Sequence, residues 1–335
     1  MATMTAVRMH GYGPPEVLHV EEVPRPGALG PRDLRVAVHA AAINPVDFKI
    51  RKGAQRAFIW LDLPAILGMD VSGVVTEVGA RVTDFAVGDA VIASPSHRRM
   101  GGYAEEVVIR ADECAAKPAG LDHPEAAALP LVGLTAYDAL VGSACVQEGE
   151  RVFVQAGAGG VGSIAIQLAK HLGAEVFTTC SPRNADVVRS LGADRVINYR
   201  TEDYEKVAAG CDVILESMGG DHLERAIRTV RDGGRVASIT PGLLDWTGRY
   251  GAVLGVIGFG LYFAWRAGGA RLRRGVRVAL VTRRPRGQNL TRLGALVDEG
   301  ALRPLVDRTY PLAEVREAHR YLETGHARGK VVLLP

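Results

Sequence analysis

The chain has 335 residues, of which 47% are hydrophobic and 23% are charged. These proportions are typical of a globular protein that is long enough for two domains, and a net charge of +3 gives no basis for nucleic-acid binding. The four cysteines stand more than thirty residues apart, which excludes a clustered zinc motif and a disulfide framework. Residues 1–8 lack an apolar signal core, so a reducing, cytoplasmic location is expected.

The first third of the chain has the pattern of short strands separated by turns. Apolar and polar residues alternate in each, as in half-buried strands, and Gly or Pro bounds them. The predicted strands are Thr5–His10, Val17–Val23, Leu34–Ala40, Gly73–Gly79 and Val87–Ile92. This spacing predicts an antiparallel, barrel-like domain.

After Pro124 the pattern changes to strands that alternate with helices. The predicted strands are Val152–Gln155, Glu175–Thr179, Arg195–Asn198, Val213–Leu215 and Gly234–Ile239. The predicted helices are Ser163–His171, Asn184–Leu191, His222–Thr229 and Leu290–Glu299. Repeated β-α-β units predict an α/β fold with a doubly wound parallel sheet. The last strand, Gly329–Pro335, is expected to return to the first domain, which gives domains of 1–123 with 285–335 and of 124–284.

A glycine-rich loop joins the first predicted parallel strand to the helix after it. Its glycines, Gly157, Gly159 and Gly162, have G-x-G-x-x-G spacing, with Gly160 and Val161 between the last two. Such glycines allow a tight turn and a close approach of the backbone to a pyrophosphate, which the helix N-terminus then binds. The loop predicts dinucleotide binding; the alternative is a tight turn without a ligand.

The end of the next strand indicates which dinucleotide is bound. Sites that prefer NAD place a carboxylate there, about twenty residues past the glycines, to bind the ribose 2′-hydroxyl. This chain has Ser181 and Arg183 instead, and Arg binds a 2′-phosphate with charge-assisted hydrogen bonds. NADPH is therefore favoured. The alternative is that Arg183 is a solvent-facing residue in the first turn of the next helix.

Residues Gly251–Trp265 carry no charge, and five arginines follow them by position 277. Fifteen residues are fewer than the about twenty that a bilayer span needs. Two interpretations stay open. The segment is an apolar flap or a subunit interface, or it makes a weak membrane-surface contact.

Taken together, these motifs resemble the zinc-independent medium-chain dehydrogenase/reductase superfamily, in its quinone-oxidoreductase (zeta-crystallin-like) branch. The resemblance covers the whole chain. It rests on the segments Ala42–Arg51, Gly68–Gly79, Gly101–Glu105, Ala127–Ala136, Leu191–Tyr199 and Gly329–Lys330, and on the glycine loop. The tail Gly325–Lys330 and the segment after Gly242 resemble the mitochondrial reticulon-interacting oxidoreductases.

The resemblance implies a GroES-like β-barrel domain, a Rossmann domain, an active site in a cleft between them, and a homodimer. It also implies reduction of a quinone, or of the C=C bond of an enone, by NADPH. Asn44 and Thr135 match positions beside the nicotinamide, and Lys330 matches a lysine near the cleft. Ser181, Arg183 and Tyr199 match positions around the 2′-phosphate, and Ser217, Ile239 and Thr240 match positions that line the cofactor.

Each of three assignments has an alternative. Asn44 is also suited to an Asx turn before Pro45, and Thr135 to bonding the backbone of its own helix. Tyr199 is also suited to a position on the surface at the end of a strand.

The chain departs from the wider superfamily at positions that bind catalytic zinc or donate a proton. Zinc-dependent members carry a His-Glu pair where this chain has Met69-Asp70, and a cysteine in the Ile43–Asn44 region. Without these ligands, catalytic zinc is not expected. Relatives that reduce enoyl thioesters place a proton-donating tyrosine where this chain has Gly53–Ala57.

The proton source is therefore open. Asp47 and Lys49 are candidates, with helix capping as the alternative role for Asp47. The sequence thus favours an oxidoreductase acting on a quinone or enone. The competing hypothesis is a non-catalytic NADPH-binding protein with a structural, regulatory or membrane-associated role.

Overall fold

The computed structural model describes residues 2–56, 58–239 and 242–335, so the predicted site residue Thr240 lies outside the described residues. The strands are β1 (Thr3–Met9), β2 (Leu18–Pro24), β3 (Asp33–Ile43), β4 (Ala65–Ile66), β5 (Val71–Val78), β6 (Ala90–Ala93), β7 (Glu106–Arg110), β8 (Cys114–Ala116), β9 (Arg151–Val154), β10 (Glu175–Cys180), β11 (Arg195–Asn198), β12 (Val213–Glu216), β13 (Arg235–Ser238), β14 (Arg277–Leu280), β15 (Val306–Pro311) and β16 (Lys330–Leu334).

The helices are α1 (Pro45–Arg51), α2 (His123–Ala127), α3 (Pro130–Tyr137), α4 (Gly160–His171), α5 (Ala185–Ser190), α6 (Tyr204–Val207), α7 (His222–Thr229), α8 (Leu243–Tyr250), α9 (Ala252–Arg274), α10 (Gly287–Asp298) and α11 (Val315–Glu323). Helix α3 continues as a π-helical turn, Asp138–Ser143. The chain forms two compact units: unit 1 comprises Met1–Leu134 and Arg284–Pro335, and unit 2 comprises Thr135–Arg283. The first boundary thus lies within α3, eleven residues beyond the predicted domain boundary after residue 123.

Unit 1 contains two β-sheets. The smaller has the strand order β2-β1-β4, and the larger has the order β15-β16-β3-β5-β6-β8, with β7 also paired to β3. The long strand β3 organises the larger sheet, because β5 pairs along one edge while β7 and β16 share the other. Its alternating side chains contribute Leu34, Val36 and Val38 to the apolar core of this unit.

The C-terminal strand completes the larger sheet. In β16, Val331–Leu333 pair antiparallel with Ala41–Ile43 of β3, and β15 lies parallel on the other side of β16. The predicted return of the tail to the first domain is therefore confirmed. This pairing brings Lys330, the first residue of β16, beside the start of helix α1.

Unit 2 contains one six-stranded sheet in which every pair of neighbouring strands is parallel. Its strand order, β11-β10-β9-β12-β13-β14, is that of a Rossmann doubly wound sheet. Strands β10 and β11 lie on one side of β9, and the later strands, beginning with β12, lie on the other side. The strand order therefore reverses between β9 and β12. Ligands of such sheets bind at this switch point, beyond the carboxyl ends of the strands. The predicted fold class of this part of the chain is confirmed.

The apolar segment after residue 250 differs from its prediction. It belongs to α9, a 23-residue helix that connects β13, through α8, to β14. The predicted segment ended at Trp265 because arginines follow, but Arg is a good helix former and the helix continues through them to Arg274. Among the described residues, α9 is the one helix that is long and apolar enough to cross a membrane by length and composition.

Candidate functional site

The glycine loop forms the turn between β9 and α4. Ala156, at its start, has a positive φ of 52°, and the N–H of Gly159 donates to the carbonyl of Ala156 to close the turn at 2.9 Å. Gly159 is the N-cap and Gly160 the first residue of α4, with Gly160 and Val161 half-buried. The first N–H groups of a helix have no partner within it, so this end of α4 presents donors at the switch point of the sheet.

Two of the glycines are required by close packing. A Cβ atom on Gly157 would lie 2.1 Å from Oγ1 of Thr178 on β10. A Cβ atom on Gly162 would lie 2.3 Å from the carbonyl oxygen of Ala156. Any side chain at Gly162 would therefore move α4 away from the end of β9. That movement would disrupt the close helix–strand packing that this motif needs.

The residues predicted near a 2′-phosphate follow two neighbouring strands. Cys180, which ends β10, is paired with Asn198, which ends β11, so Ser181 and Tyr199 leave the sheet side by side. Ser181 is half-buried, and Tyr199 is 54% exposed. Arg183 lies two residues beyond Ser181 in a short 3₁₀ turn and is exposed to solvent. The structure thus brings these residues to one corner of the sheet.

The loop after β12 is bonded to the end of β9. The hydroxyl of Ser217 donates to the carbonyl of Gln155 at 3.2 Å, and its N–H donates to the Gln155 side chain at 3.3 Å. Ile239, directly after β13, is half-buried and its N–H donates to the carbonyl of Glu216. Ser217 and Ile239 therefore lie at the carboxyl end of the sheet, on the β12 side of the glycine loop.

Glu216 organises this loop and was not identified from the sequence. Its carboxylate is fully buried and accepts the N–H groups of Met218 and Gly219, at 2.7 and 2.6 Å, and the hydroxyl of Ser238 at 2.5 Å. A carboxylate with these donors is stable inside a protein. The feature of the sequence that could have identified Glu216 is its position as the one acidic residue at the end of an apolar strand, directly before Ser217.

In unit 1, three polar side chains from distant parts of the chain form a buried cluster. Lys330 Nζ lies 2.9 Å from Oδ2 of Asp70 and also donates to Oδ1 of Asn44. The Asn44 amide donates to the same Asp70 oxygen at 2.9 Å and to the carbonyl of Ala42 at 3.3 Å. The other Asp70 oxygen accepts the N–H of Leu131 at 2.7 Å. The Asn44 amide is therefore held in one orientation, with its N–H donors used.

Asp47 lies in the first turn of α1, three residues after the N-cap Asn44, and caps the helix. Its Oδ2 accepts the N–H of Asn44 at 2.7 Å and the hydroxyl of Tyr103 at 3.1 Å. Asp47 is fully buried, and this burial raises its pKa to about 7, while the lysine ammonium of the cluster opposes the shift. Burial likewise raises the pKa of Tyr103 above its usual range. The geometry favours the capping alternative for Asp47; a catalytic role stays a prediction.

Three further observations concern Thr135, Tyr103 and metal binding. Thr135 lies in α3 and is buried. Tyr103 belongs to the Gly101–Glu105 motif, yet its bond to Asp47 was not predicted, because nothing in the sequence indicates that these segments meet. No group of three or more His, Cys, Asp or Glu side chains able to hold a metal occurs among the described residues.

Two family models match the chain. The alcohol dehydrogenase GroES-like domain matches residues 30–119, and the zinc-binding dehydrogenase model matches residues 191–333. Together with the strand order of unit 2, these matches confirm the predicted combination of a GroES-like domain with a Rossmann sheet.

Curated relatives resemble nearly the whole chain. NAD(P)H oxidoreductase RTN4IP1, mitochondrial, of Danio rerio is 35% identical over 90% of this chain and 84% of that protein. The chloroplastic quinone-oxidoreductase homolog of Spinacia oleracea is 32% identical over 99% and 98%. The chloroplastic NADPH-dependent alkenal/one oxidoreductase of Arabidopsis thaliana is 34% identical over 97% and 78%. The mitochondrial and chloroplastic names of these relatives conflict with the predicted cytoplasmic location, which was inferred from cysteine spacing and the first eight residues and is therefore wrong.

Solved structures agree with this resemblance. The quinone oxidoreductase from Coxiella burnetii has 34% identity and a TM-score of 0.85, with full coverage of both chains. Escherichia coli quinone oxidoreductase, complexed with NADPH, has 29% identity and a TM-score of 0.82, over 99% of this chain and 100% of that one. Fold, motifs and relatives agree: the chain is an oxidoreductase of the medium-chain dehydrogenase/reductase superfamily and belongs to its quinone-oxidoreductase branch.

Proposed function

We propose that the protein is an NADPH-dependent oxidoreductase that reduces a quinone, or the C=C bond of an enone, without zinc. The observation that carries this proposal is the glycine loop at the switch point of unit 2, with Arg183 in place of an acid beyond β10. The named activities of the relatives, quinone and alkenal/one reduction, support the class of substrate.

The residues of unit 2 fit a dinucleotide. Gly157 and Gly162 leave the backbone free of side chains where the turn is tightest, and the N–H groups at Gly160 and Val161 would hold the pyrophosphate. Ser217 and Ile239, beside the loop, would line the cofactor. These are the features that a bound dinucleotide requires of a Rossmann sheet.

The corner formed by Ser181, Arg183 and Tyr199 would hold the 2′-phosphate that distinguishes NADPH from NADH. Arg183 supplies a fixed positive charge with several donors, and Ser181 supplies a hydroxyl. Tyr199 offers an exposed aromatic face and a further hydroxyl. The residues that leave β10, Ser181–Asn184, include no carboxylate that would repel the phosphate.

The buried cluster of unit 1 supports the zinc-independent part of the proposal. The ammonium of Lys330 lies against Asp70 and Asn44, which occupy the two regions that zinc-dependent members use for metal ligands. The ammonium already balances the Asp70 carboxylate, so a divalent cation there would face an unfavourable positive neighbour. Metal analysis of the purified protein and activity in EDTA test this part.

Bound NADPH supplies the hydride, and the protein supplies orientation and a site with little water. The cluster holds the Asn44 amide in one orientation, which gives Asn44 a positioning role. Asp47 fixes the Asn44 backbone through its N–H. Reduction of a quinone by hydride and one proton gives the hydroquinone. Its anion is stable enough to take that proton from solvent, so this reaction does not require the tyrosine that Gly53–Ala57 lacks.

Turnover distinguishes this function from a non-catalytic role. We expect NADPH oxidation with 9,10-phenanthrenequinone or with a simple enone, and a higher kcat/KM with NADPH than with NADH. Tight NADPH binding without turnover across a panel of quinones and enones would support the non-catalytic alternative. Product analysis by mass spectrometry separates carbonyl reduction of a quinone from reduction of a C=C bond.

Two further expectations concern partners. A homodimer is expected from the family resemblance, and sedimentation velocity tests it. Membrane association is favoured by a specific observation, the exposed apolar side chains of α9. It is compatible with both the catalytic and the non-catalytic hypothesis.

A further inference from the structure

Helix α9 presents three different faces. Phe259 and Ala270 are buried, and Ala270 belongs to the apolar core of unit 2, against which Phe263 packs. Gly255 and Gly258 face α8, where a Cβ atom would collide with the Thr247 backbone and with the Trp246 ring. The third face carries the large exposed side chains Val253, Leu254, Ile257, Leu261 and Trp265. Ile257 is 54% exposed, and the other four are 66% to 70% exposed. We call these five residues the apolar face.

The apolar face is continuous along the helix. From Leu254 onward its members recur at intervals of three or four residues, and Val253 lies four residues before Ile257, which places all five on one side of an α-helix. The helix carries no charged residue between Ala252 and Trp265. Single exposed apolar residues are common on soluble proteins, but a contiguous stripe over four turns marks an interaction surface.

The charges of α9 indicate what covers this face. The helix contains four arginines and no acidic residue, and all four lie beyond Trp265. Arg266 and Arg274 are paired with Glu224 and Asp232, whereas Arg271 and Arg273 are exposed and have no ion pair within the described residues. A second copy of α9 would bring like charge to these two arginines. A surface with negative charge beside an apolar layer matches both features, and anionic lipid has this composition.

The helix does not cross the bilayer in this arrangement. It is about 34 Å long, enough to span the apolar layer. However, it connects the neighbouring parallel strands β13 and β14, and Ala270 lies in the core of their sheet with Phe263 packed against it. Crossing a membrane would remove α9 from that core. We propose that α9 binds an anionic lipid surface in the plane of the interface, with the apolar face inserted and Arg271 and Arg273 at the phosphate groups.

Vesicle sedimentation of the full-length protein tests this inference. We expect binding to vesicles of phosphatidylcholine mixed with phosphatidylglycerol, weaker binding to phosphatidylcholine alone, and a decrease with salt. The variant L254E/L261E should bind at least about tenfold more weakly, because two exposed leucines no longer insert. The matched control V20E/V87E adds the same charge at exposed apolar positions of unit 1 and should bind like the wild type. NADPH binding and Tm, unchanged in both variants, show that the fold is intact.

Tryptophan quenching gives a second readout that depends on position. Brominated lipid should quench the fluorescence of Trp265, so W265F loses the quenching while W60F keeps it, although Trp60 is 92% exposed. Absence of vesicle binding, equal binding of L254E/L261E and wild type, or quenching that persists in W265F overturns the inference. So does a dimer that L254E/L261E dissociates without any vesicle binding by the wild type, since a second copy then covers this face.

Discussion

The two polar sites of this protein are built in opposite ways. In unit 2 the glycine loop depends on backbone groups and on the absence of side chains at Gly157 and Gly162. In unit 1 the cluster depends on side chains, and Lys330 reaches Asn44 across 286 residues of sequence. A backbone site tolerates no added atoms, whereas a side-chain site tolerates no lost partner. The difference predicts distinct responses to mutation.

The largest effect on cofactor binding is expected from Gly162→Val. The new side chain would collide with the carbonyl of Ala156, so α4 has to shift and its N-terminal N–H groups leave the phosphate position. We expect NADPH binding to weaken by roughly 100-fold or more, measured by fluorescence titration. Gly248→Ala is the control, since a Cβ atom there meets open space. Near-normal NADPH affinity in Gly162→Val would show that the loop does not hold the dinucleotide.

The next effect tests the side-chain site. Lys330→Met removes the cation from Asp70 and leaves a buried carboxylate without its ion-pair partner. We expect the free energy of unfolding to fall by about 3–5 kcal/mol in urea titrations. In the double variant Lys330→Met/Asp70→Asn, the amide still accepts the Leu131 N–H and no charge is left unpaired. The double variant should therefore regain more than half of the loss. Equal destabilisation of the single and double variants would contradict the role of charge pairing.

A smaller effect is expected where a charged side chain adds selectivity to the backbone site. Arg183→Ala removes the cation at the corner beyond β10 but leaves the glycine loop intact. The KM for NADPH should rise by about tenfold, equivalent to ~1.4 kcal/mol of charge-assisted bonding, while the KM for NADH stays nearly unchanged. Steady-state kinetics with both cofactors measure this, and equal changes for the two would remove the assignment of Arg183 to the 2′-phosphate.

The last prediction concerns how stability depends on pH. Burial raises the pKa of Asp47 from 3.8 to about 7, so the folded state binds a proton that the unfolded state releases. The contribution of Asp47 to stability is thus full below about pH 4 and is lost as the pH rises toward 7. In Asp47→Asn this part of the slope should vanish, because an amide does not titrate, and its oxygen still accepts the Tyr103 hydroxyl. Parallel stability curves for the variant and the wild type would show that Asp47 stays ionised in the folded protein.

Local patterns predicted much of the fold. Helix α7 and strand β11 have the bounds that periodicity indicates, because their apolar positions face one core in a regular repeat. The C-terminal end of helix α9 was not predicted, because the first arginine after Trp265 was taken as the end of the apolar segment. The helix continues through the arginines to Arg274. The contacts of Asp70, Tyr103 and Glu216 depend on which strands become neighbours, and no local pattern carries that information.

The position of β16 also has a consequence for how the chain is made. Unit 2 ends at residue 283, so it is complete while the residues of β15 and β16 are still to be added. Until then, Ala41–Ile43 of β3 lack the strand that covers their edge, and Asp70 lacks its lysine. An unpaired strand edge and a buried carboxylate without its cation are both aggregation risks in a nascent chain. The second unit of the sequence is therefore expected to fold first on the ribosome, and the first unit to close only with the last residues.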